Sequence, residues 1–384
     1  MISENTKRIK HSKIREMFNM ALEYDNPINL TIGEPDFTVA DNVAAAGCRA
    51  ILEGKTKYSE NAGIMPLRES ISQYLKNEID AVYDPVSEIC VTTGAMGGLY
   101  QTLKVILNPG DEVIVNEPCW TNYVQQIIMC DGVPITIGTD ETDSFSIDIN
   151  AVKNAITDKT KAIIINSPCN PTGTVLEKEK LMQLAELSKM HGFLVISDEV
   201  YKHIRYDDTE FTSIASLPGM KENTVVIDSF SKSHAMTGFR IGYVAGPQEI
   251  VSNVTKLQEN IAACVAMPSQ YAAIAALEGD RAHLNNMVAT YKERRDYLIS
   301  EIEKMSHVSC AAPKGAFYAF INIKETGMNC EDFAIQLLKQ QQVVVVPGTA
   351  FGEKGEGYIR ISFATSMDIL KTGMEKMRTF VEHL

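Results

Sequence analysis

The 384-residue chain reads as an α/β protein: a large domain on a mostly parallel, doubly wound sheet, with a smaller α+β domain beside it. Two observations predict this. From residue 89 to about residue 230, short runs that are apolar on both faces alternate with helical stretches, and strands of that kind belong to parallel sheets covered by helices. Beyond about residue 285 the texture changes to one long charged helix followed by short strands. A chain of this length divides naturally into more than one core.

The elements follow in order. Ile14, Met17, Phe18 and Ala21 fall at helical spacing, so the first 27 residues read as a helix. EICVTTG (88–94) is the first strand, with a helix running on to Leu107. DEVIVNEP (111–118) leads to a helix ending near Cys130, and KAIIINSP (161–168) leads through a loop to a helix ending near Met190. FLVISDE (193–199) and TVVIDSFSK (224–232) complete the series. The small domain opens with NNMVATYKERRDYLISEIEKM (285–305) and continues through GAFYAFINI (315–323), a further helix, VVVVPG (343–348) and YIRISF (358–363). The expected division is residues 28–280 for the large domain, with 1–27 and 281–384 forming the small one.

Composition narrows the function. A net charge of −13 argues against non-specific nucleic-acid binding, which needs basic patches. The eight cysteines are scattered without a CxxC pair, and no histidines have metal-ligand spacing, so reduced thiols and no metal are expected. No apolar run approaches the roughly 20 residues that span a bilayer. The polar start MISENTKRIKHSK lacks the apolar segment of a signal peptide, which makes the cytoplasm the expected location. GxGxxG, GxxxxGK[ST] and GxSxG are all missing after the strands.

Open α/β sheets bind ligands beyond the carboxyl ends of their strands, so those positions carry the argument. Gly94-Ala95-Met96 opens a helix whose free N–H groups favour an anion, although a plain glycine turn would read the same way. Trp120 follows the second strand, and Asn170 precedes Pro-Thr-Gly after the third; alone, one is equally a core residue and the other a turn. Asp198 ends an apolar strand, where a carboxylate needs a cation or several donors. Lys232 follows the last strand, between Ser231 and Ser233. A lysine able to form an imine, an acid, an aromatic ring and an anion cradle together suit pyridoxal phosphate.

NPTG (170–173), SDEVY (197–201) and SKSHAMTGFRIG (231–242) occur in that order, between LTIGEPDF (30–37) and GEGYIRISFA (355–364). With these motifs the sequence resembles the class I/II aminotransferases, the aspartate aminotransferase type of fold type I pyridoxal-phosphate enzymes. The resemblance runs almost end to end and is nearest to bacterial aspartate, aromatic and N-acetyl-diaminopimelate aminotransferases. It implies that Lys232 holds the cofactor through a Schiff base and that Asp198 pairs with the ring nitrogen. Tyr201 and the Asn170 amide would donate to the phenolic oxygen, and Trp120 would stack on the ring. Gly94, the Ala95 and Met96 backbone, Ser229, Ser231 and Arg240 would hold the phosphate, joined by Tyr58 from the other subunit of a homodimer. Arg360, Asn170 and Gly33 would bind the substrate α-carboxylate. Pro118 and Pro171 fall where the family often has cis peptides.

The implied activity is ping-pong amino transfer between an L-amino acid, aspartate or aromatic or similar, and a 2-oxo acid. Met96 stands where one bacterial aspartate aminotransferase branch has a lysine that reads the distal carboxylate, which removes a cation that strict aspartate specificity would use and fits an aromatic or aliphatic side chain at least as well. Arg15, Lys202 and Arg205 are the remaining candidates to supply charge, although solvated surface charges are the simpler reading of all three. A cystathionine-type C–S β-lyase shares the fold and the lysine and is the alternative. A ligand-sensing regulator would need a DNA-binding domain, which the roughly 30 residues before TIGEPDF do not suggest.

Overall fold

The computed structural model describes residues 1–384, the side chain of Glu4 excepted. Twelve strands occur among the described residues: β1 (Ile28–Asn29), β2 (Ile89–Thr92), β3 (Glu112–Glu117), β4 (Val133–Gly138), β5 (Thr160–Asn166), β6 (Leu194–Asp198), β7 (Thr224–Ser229), β8 (Gly242–Ala245), β9 (Tyr318–Asn322), β10 (Val343–Val344), β11 (Val346–Pro347) and β12 (Tyr358–Ser362). The main sheet has the order β2-β8-β7-β6-β5-β3-β4. Only β8 is reversed; it pairs antiparallel with β2 and with β7, and every other pairing is parallel. The five strands expected in this sheet are all present, and β2 and β7 are buried along their whole length.

Two strands of the sheet lie outside the sequence reading. β4 is an edge strand with a proline and an exposed face, so it lacks the doubly apolar signature of its neighbours. β8 lies within IGYVAGP, where flanking glycines mask a short apolar run. The first 27 residues are not one helix. They form the helices Glu4–Arg8 and Lys13–Ala21, with Ser12 as the N-cap residue of the second.

The second region has an antiparallel sheet, β11-β12-β9, and a two-stranded parallel pair, β1-β10. Its apolar core joins Met17 and Ala21 to residues between 287 and 381, and also takes in Tyr201, Ile204 and Tyr206 from the segment after β6. That shared core ties the strand-end loop carrying Tyr201 to β9 and β12. The ends of β2, β3, β5, β6 and β7 therefore open towards these strands.

Candidate active site

The strand ends enclose a cavity of about 680 Å³. Its lining includes Lys232, Asp198, Tyr201, Arg360, Trp120 and Asn170, and also Ala95, Met96, Ser229, Ser231, Arg240 and Gly33 from the sequence reading. Gly94 sits just behind this wall, whereas Tyr58 is 88% exposed and does not line the cavity.

Lys232 lies on the short helix Phe230–Ser233, which is capped by the Ser229 side chain accepting from the Ser231 N–H. Asp228 Oδ1 accepts the Ser229 N–H at 2.7 Å and fixes the start of that turn. The Lys232 ammonium donates to the Gly33 carbonyl at 2.6 Å. Burial pushes the amine down from 10.5 to about 8, opposed by Glu34 and assisted by Arg240 and Arg360. At pH 7 that leaves roughly one-tenth of the amine neutral, far more than for an exposed lysine, which suits a nucleophilic or proton-accepting role.

Asp198 is buried at the end of β6. Tyr123 donates to its Oδ2 at 2.7 Å, and the Val200 N–H donates to Oδ1 at 3.3 Å. Among the described residues it has no lysine or arginine within ion-pair distance. Burial raises its carboxyl to about 6, which leaves room for a cationic partner inside the cavity. Trp120, half-buried, is held edge-on by the Tyr123 ring at 5.4 Å.

At the opposite wall Arg360 is 2% exposed on β12. Its guanidinium donates to Asn170 Oδ1 at 3.0 Å and to the Thr31 carbonyl at 2.7 Å, and its Nε has no partner. Tyr318 and Phe351 rings flank it at 4.5 and 4.9 Å. A buried guanidinium without a carboxylate suits an incoming one. Because Arg360 engages Asn170 through its oxygen, the Asn170 amide nitrogen stays available as a donor.

Arg240 reaches the same rim by way of β8. The strand runs backwards, so the residue before it arrives where the other strands end. Arg240 donates to the Thr237 carbonyl at 2.8 Å and lies close to Gly94, where a Cβ would fall 3.0 Å from its Nη2. Gly94 has φ +68° and starts the helix Gly94–Ile106, so a cation, a helix N-terminus and two serines share one corner.

Of the three further cation candidates, Arg15 lines the cavity and stacks on Phe18 at 5.3 Å. Lys202 is buried behind the site against Asp228 at 2.6 Å, and Arg205 lies over Phe211 at 5.8 Å; neither lines the cavity. Pro118 and Pro171 follow cis peptides, as does Pro168, which the sequence reading did not include. Tyr123, Asn166 and Tyr318 also escaped it, as did Ser12, Ile14 and Phe18 of the N-terminal segment. A buried acid without a sequence-adjacent donor is a signal for something like Tyr123, but only the fold says which hydroxyl arrives.

The profile of the family described as "Aminotransferase class I and II" matches residues 25–377. The putative aminotransferase YugH of Bacillus subtilis is 42% identical over 99% of this chain and 98% of its own length. The crystal structure of an aromatic aminotransferase from Pyrococcus horikoshii superimposes with a TM-score of 0.92 at 39% identity, covering 96% of this chain and 99% of that one. The aspartate aminotransferase from Thermus thermophilus with maleate gives 0.95 at 34% identity, covering all of both chains.

Proposed function

The chain belongs to the class I and II aminotransferases, and we propose that it transfers the amino group of an L-amino acid with an apolar, chiefly aromatic, side chain to a 2-oxo acid by a ping-pong mechanism. It is a transaminase of fold type I, a class of enzymes that depend on pyridoxal phosphate in general. The cavity fits that group on its own features. Asp198 is a buried acid lacking a cation, and Arg240 shares a corner with Ser229, Ser231 and a helix N-terminus. Lys232 would attach it, and Asp198 would face the ring nitrogen. Trp120 would cover the ring, with Tyr201 and Asn170 at its oxygen. Gly94, Ala95, Met96, Ser229, Ser231 and Arg240 would hold the phosphate.

When bound, pyridoxal phosphate supplies an electron sink for the pair released at the substrate Cα. The chain supplies the rest. Arg360 binds the α-carboxylate beside Asn170 and the Gly33 backbone, which fixes Cα near the lysine. Lys232 Nζ takes the Cα proton and gives it back as the amino group moves. Asp198 would face the ring nitrogen as a carboxylate and favour a proton there by opposite charge.

The preference for an apolar side chain rests on Ile14, Phe18, Ile32 and Met96 at the cavity wall. One of the relatives above is named for aromatic and another for aspartate transfer; Met96 instead of a lysine favours the first. We place residues 28–280 in the cofactor-holding domain and 1–27 with 281–384 in the smaller one. Tyr58, exposed in the single chain, would act on the neighbouring active site of a cytoplasmic homodimer. Among the described residues no helix is long and apolar enough to cross a membrane. The relatives above are aminotransferases, so the β-lyase alternative gains no support from them.

The observation carrying this reading is the convergence of Lys232, a half-buried amine lowered to about 8, with Asp198 and Arg360 in one cavity. Lys232→Ala should abolish amino transfer from a panel of amino acids to 2-oxoglutarate. Retained turnover would end the reading.

A further inference from the structure

The site contains a pair of buried hydroxyls that share one hydrogen bond, either of which can be its donor. Tyr201 Oη and Tyr318 Oη lie 2.8 Å apart, both buried. Each phenol has one hydrogen, so only one can donate to the other. The Tyr201 ring is held edge-on by Phe317 at 5.5 Å and by Tyr318 at 5.8 Å. Tyr318 is held as firmly. The Arg360 guanidinium covers its ring face at 4.5 Å, and its hydroxyl sits so close to Gly33 that a Cβ there would fall 2.5 Å away.

The charged groups around the pair are asymmetric. Arg360 of β12 lies on the Tyr318 ring, and Asp198 of β6 is the anion felt by Tyr201. Lys232 is across the cavity, nearer the Phe317 ring, at 5.9 Å. A cation on the Tyr318 face favours negative charge on the Tyr318 oxygen, and an anion near Tyr201 disfavours it there. Burial raises both phenols; Arg360 pulls both back down, as the largest influence after burial on Tyr318 but the smallest on Tyr201, where Asp198 outweighs it. Tyr318 is thus the better donor.

Resting on the function proposed above, we propose that Tyr318 is a positioning residue that donates to Tyr201, fixing that hydroxyl and turning its hydrogen towards the oxygen of the group bound at Lys232. Tyr318 acts through Tyr201 and needs no contact of its own with that group. Its place on β9, two residues from the partner of Arg360, ties this orientation to the strand pair that carries the carboxylate site.

The test is a pH titration of the absorbance of pyridoxal phosphate bound to the purified protein, with Tyr318→Phe, Tyr201→Phe and the double variant. Less hydrogen bonding to the phenolic oxygen leaves more negative charge beside the Lys232 nitrogen, which then keeps its proton to higher pH. Tyr318→Phe should raise the midpoint by about half a pH unit, because one bond of a polarised chain is lost. Tyr201→Phe should raise it by about one unit or more, as the donor itself is gone. The double variant should match Tyr201→Phe alone. An unchanged midpoint in Tyr318→Phe, or a shift that adds in full to that of Tyr201→Phe, overturns the role of Tyr318 alone. Absence of a Lys232-dependent absorbance in the unmodified protein overturns the proposed function, and this role with it.

Discussion

Lys232→Met should make the cofactor-free protein more stable at pH 7 and lose that advantage in alkali. The amine titrates at about 8 in the fold against 10.5 when exposed, with burial as the main cause. At 1.36 kcal/mol per pKa unit the difference corresponds to about 3 kcal/mol. Lys232 is only half-buried, in a cavity open to water, so about 2 kcal/mol is the appropriate figure. A folded pKa below the unfolded one means the protonated amine is disfavoured by folding. The stability it allows is therefore complete above pH 10.5 and is lost as pH falls through about 8. Against this stands the bond to the Gly33 carbonyl, worth about 1 kcal/mol. Methionine keeps the stem and removes both the charge and that bond. The variant should gain about 1 kcal/mol at pH 7 and be level with the parent near pH 9.5. Urea unfolding at both pH values, on protein stripped of bound carbonyl compounds, measures the difference if the slopes agree. A variant less stable at pH 7, or a difference that does not change with pH, would refute the account of a desolvated amine.

Two further outcomes follow from the opposite wall. Arg360→Lys replaces a two-pronged donor by a point charge and should lower kcat/KM for every amino acid tested by roughly 10- to 100-fold, about 1–3 kcal/mol, mostly through KM; an unchanged KM would remove Arg360 from the carboxylate site. Met96→Lys puts a cation at the cavity wall and should raise the ratio of aspartate to phenylalanine turnover by at least about tenfold, the scale of one favourable charge contact; an unchanged ratio would mean that the substrate side chain points elsewhere.

The chemistry of the site was legible because it lies at strand ends, where the switch from an apolar run to Asp198, Asn170 or Lys232 is visible in the chain itself. What was not legible depends on residues brought in from elsewhere. Tyr123 is 75 positions from the acid it holds, and Tyr318 is 117 positions from Tyr201. Neither has a local pattern apart from an aromatic residue in an apolar stretch. Lys202 illustrates the reverse error. A lysine one residue after Tyr201 invited comparison with solvated surface charges, yet it is 2% exposed, because Asp228 of β7 meets it from the neighbouring strand. Glu199 stands on its far side at 3.9 Å. The alternation of one strand end thus sends Asp198 to the cavity and Glu199 to the buried ion cluster behind it.

The reversed strand β8 explains why Lys232 and Arg240 can belong to one site although a tight turn lies between them. In a wholly parallel sheet, the residues entering the next strand would lie at the end of the sheet far from the lysine. Here Gly242 pairs with Ser229 on one side and Thr92 on the other, at the carboxyl ends of both strands. That close approach demands glycine, since a Cβ at 242 would fall 2.6 Å from the Asp228 carbonyl and 2.8 Å from the Ala95 nitrogen. The chain then needs only the eight residues after Lys232 to turn and deliver Arg240 over the N-terminus of the helix that begins at Gly94. The cation and the helix N-terminus are thus brought together by the topology of the sheet, and β8 also braces the Lys232 turn, since the Phe230 N–H donates to the Ile241 carbonyl just before the strand.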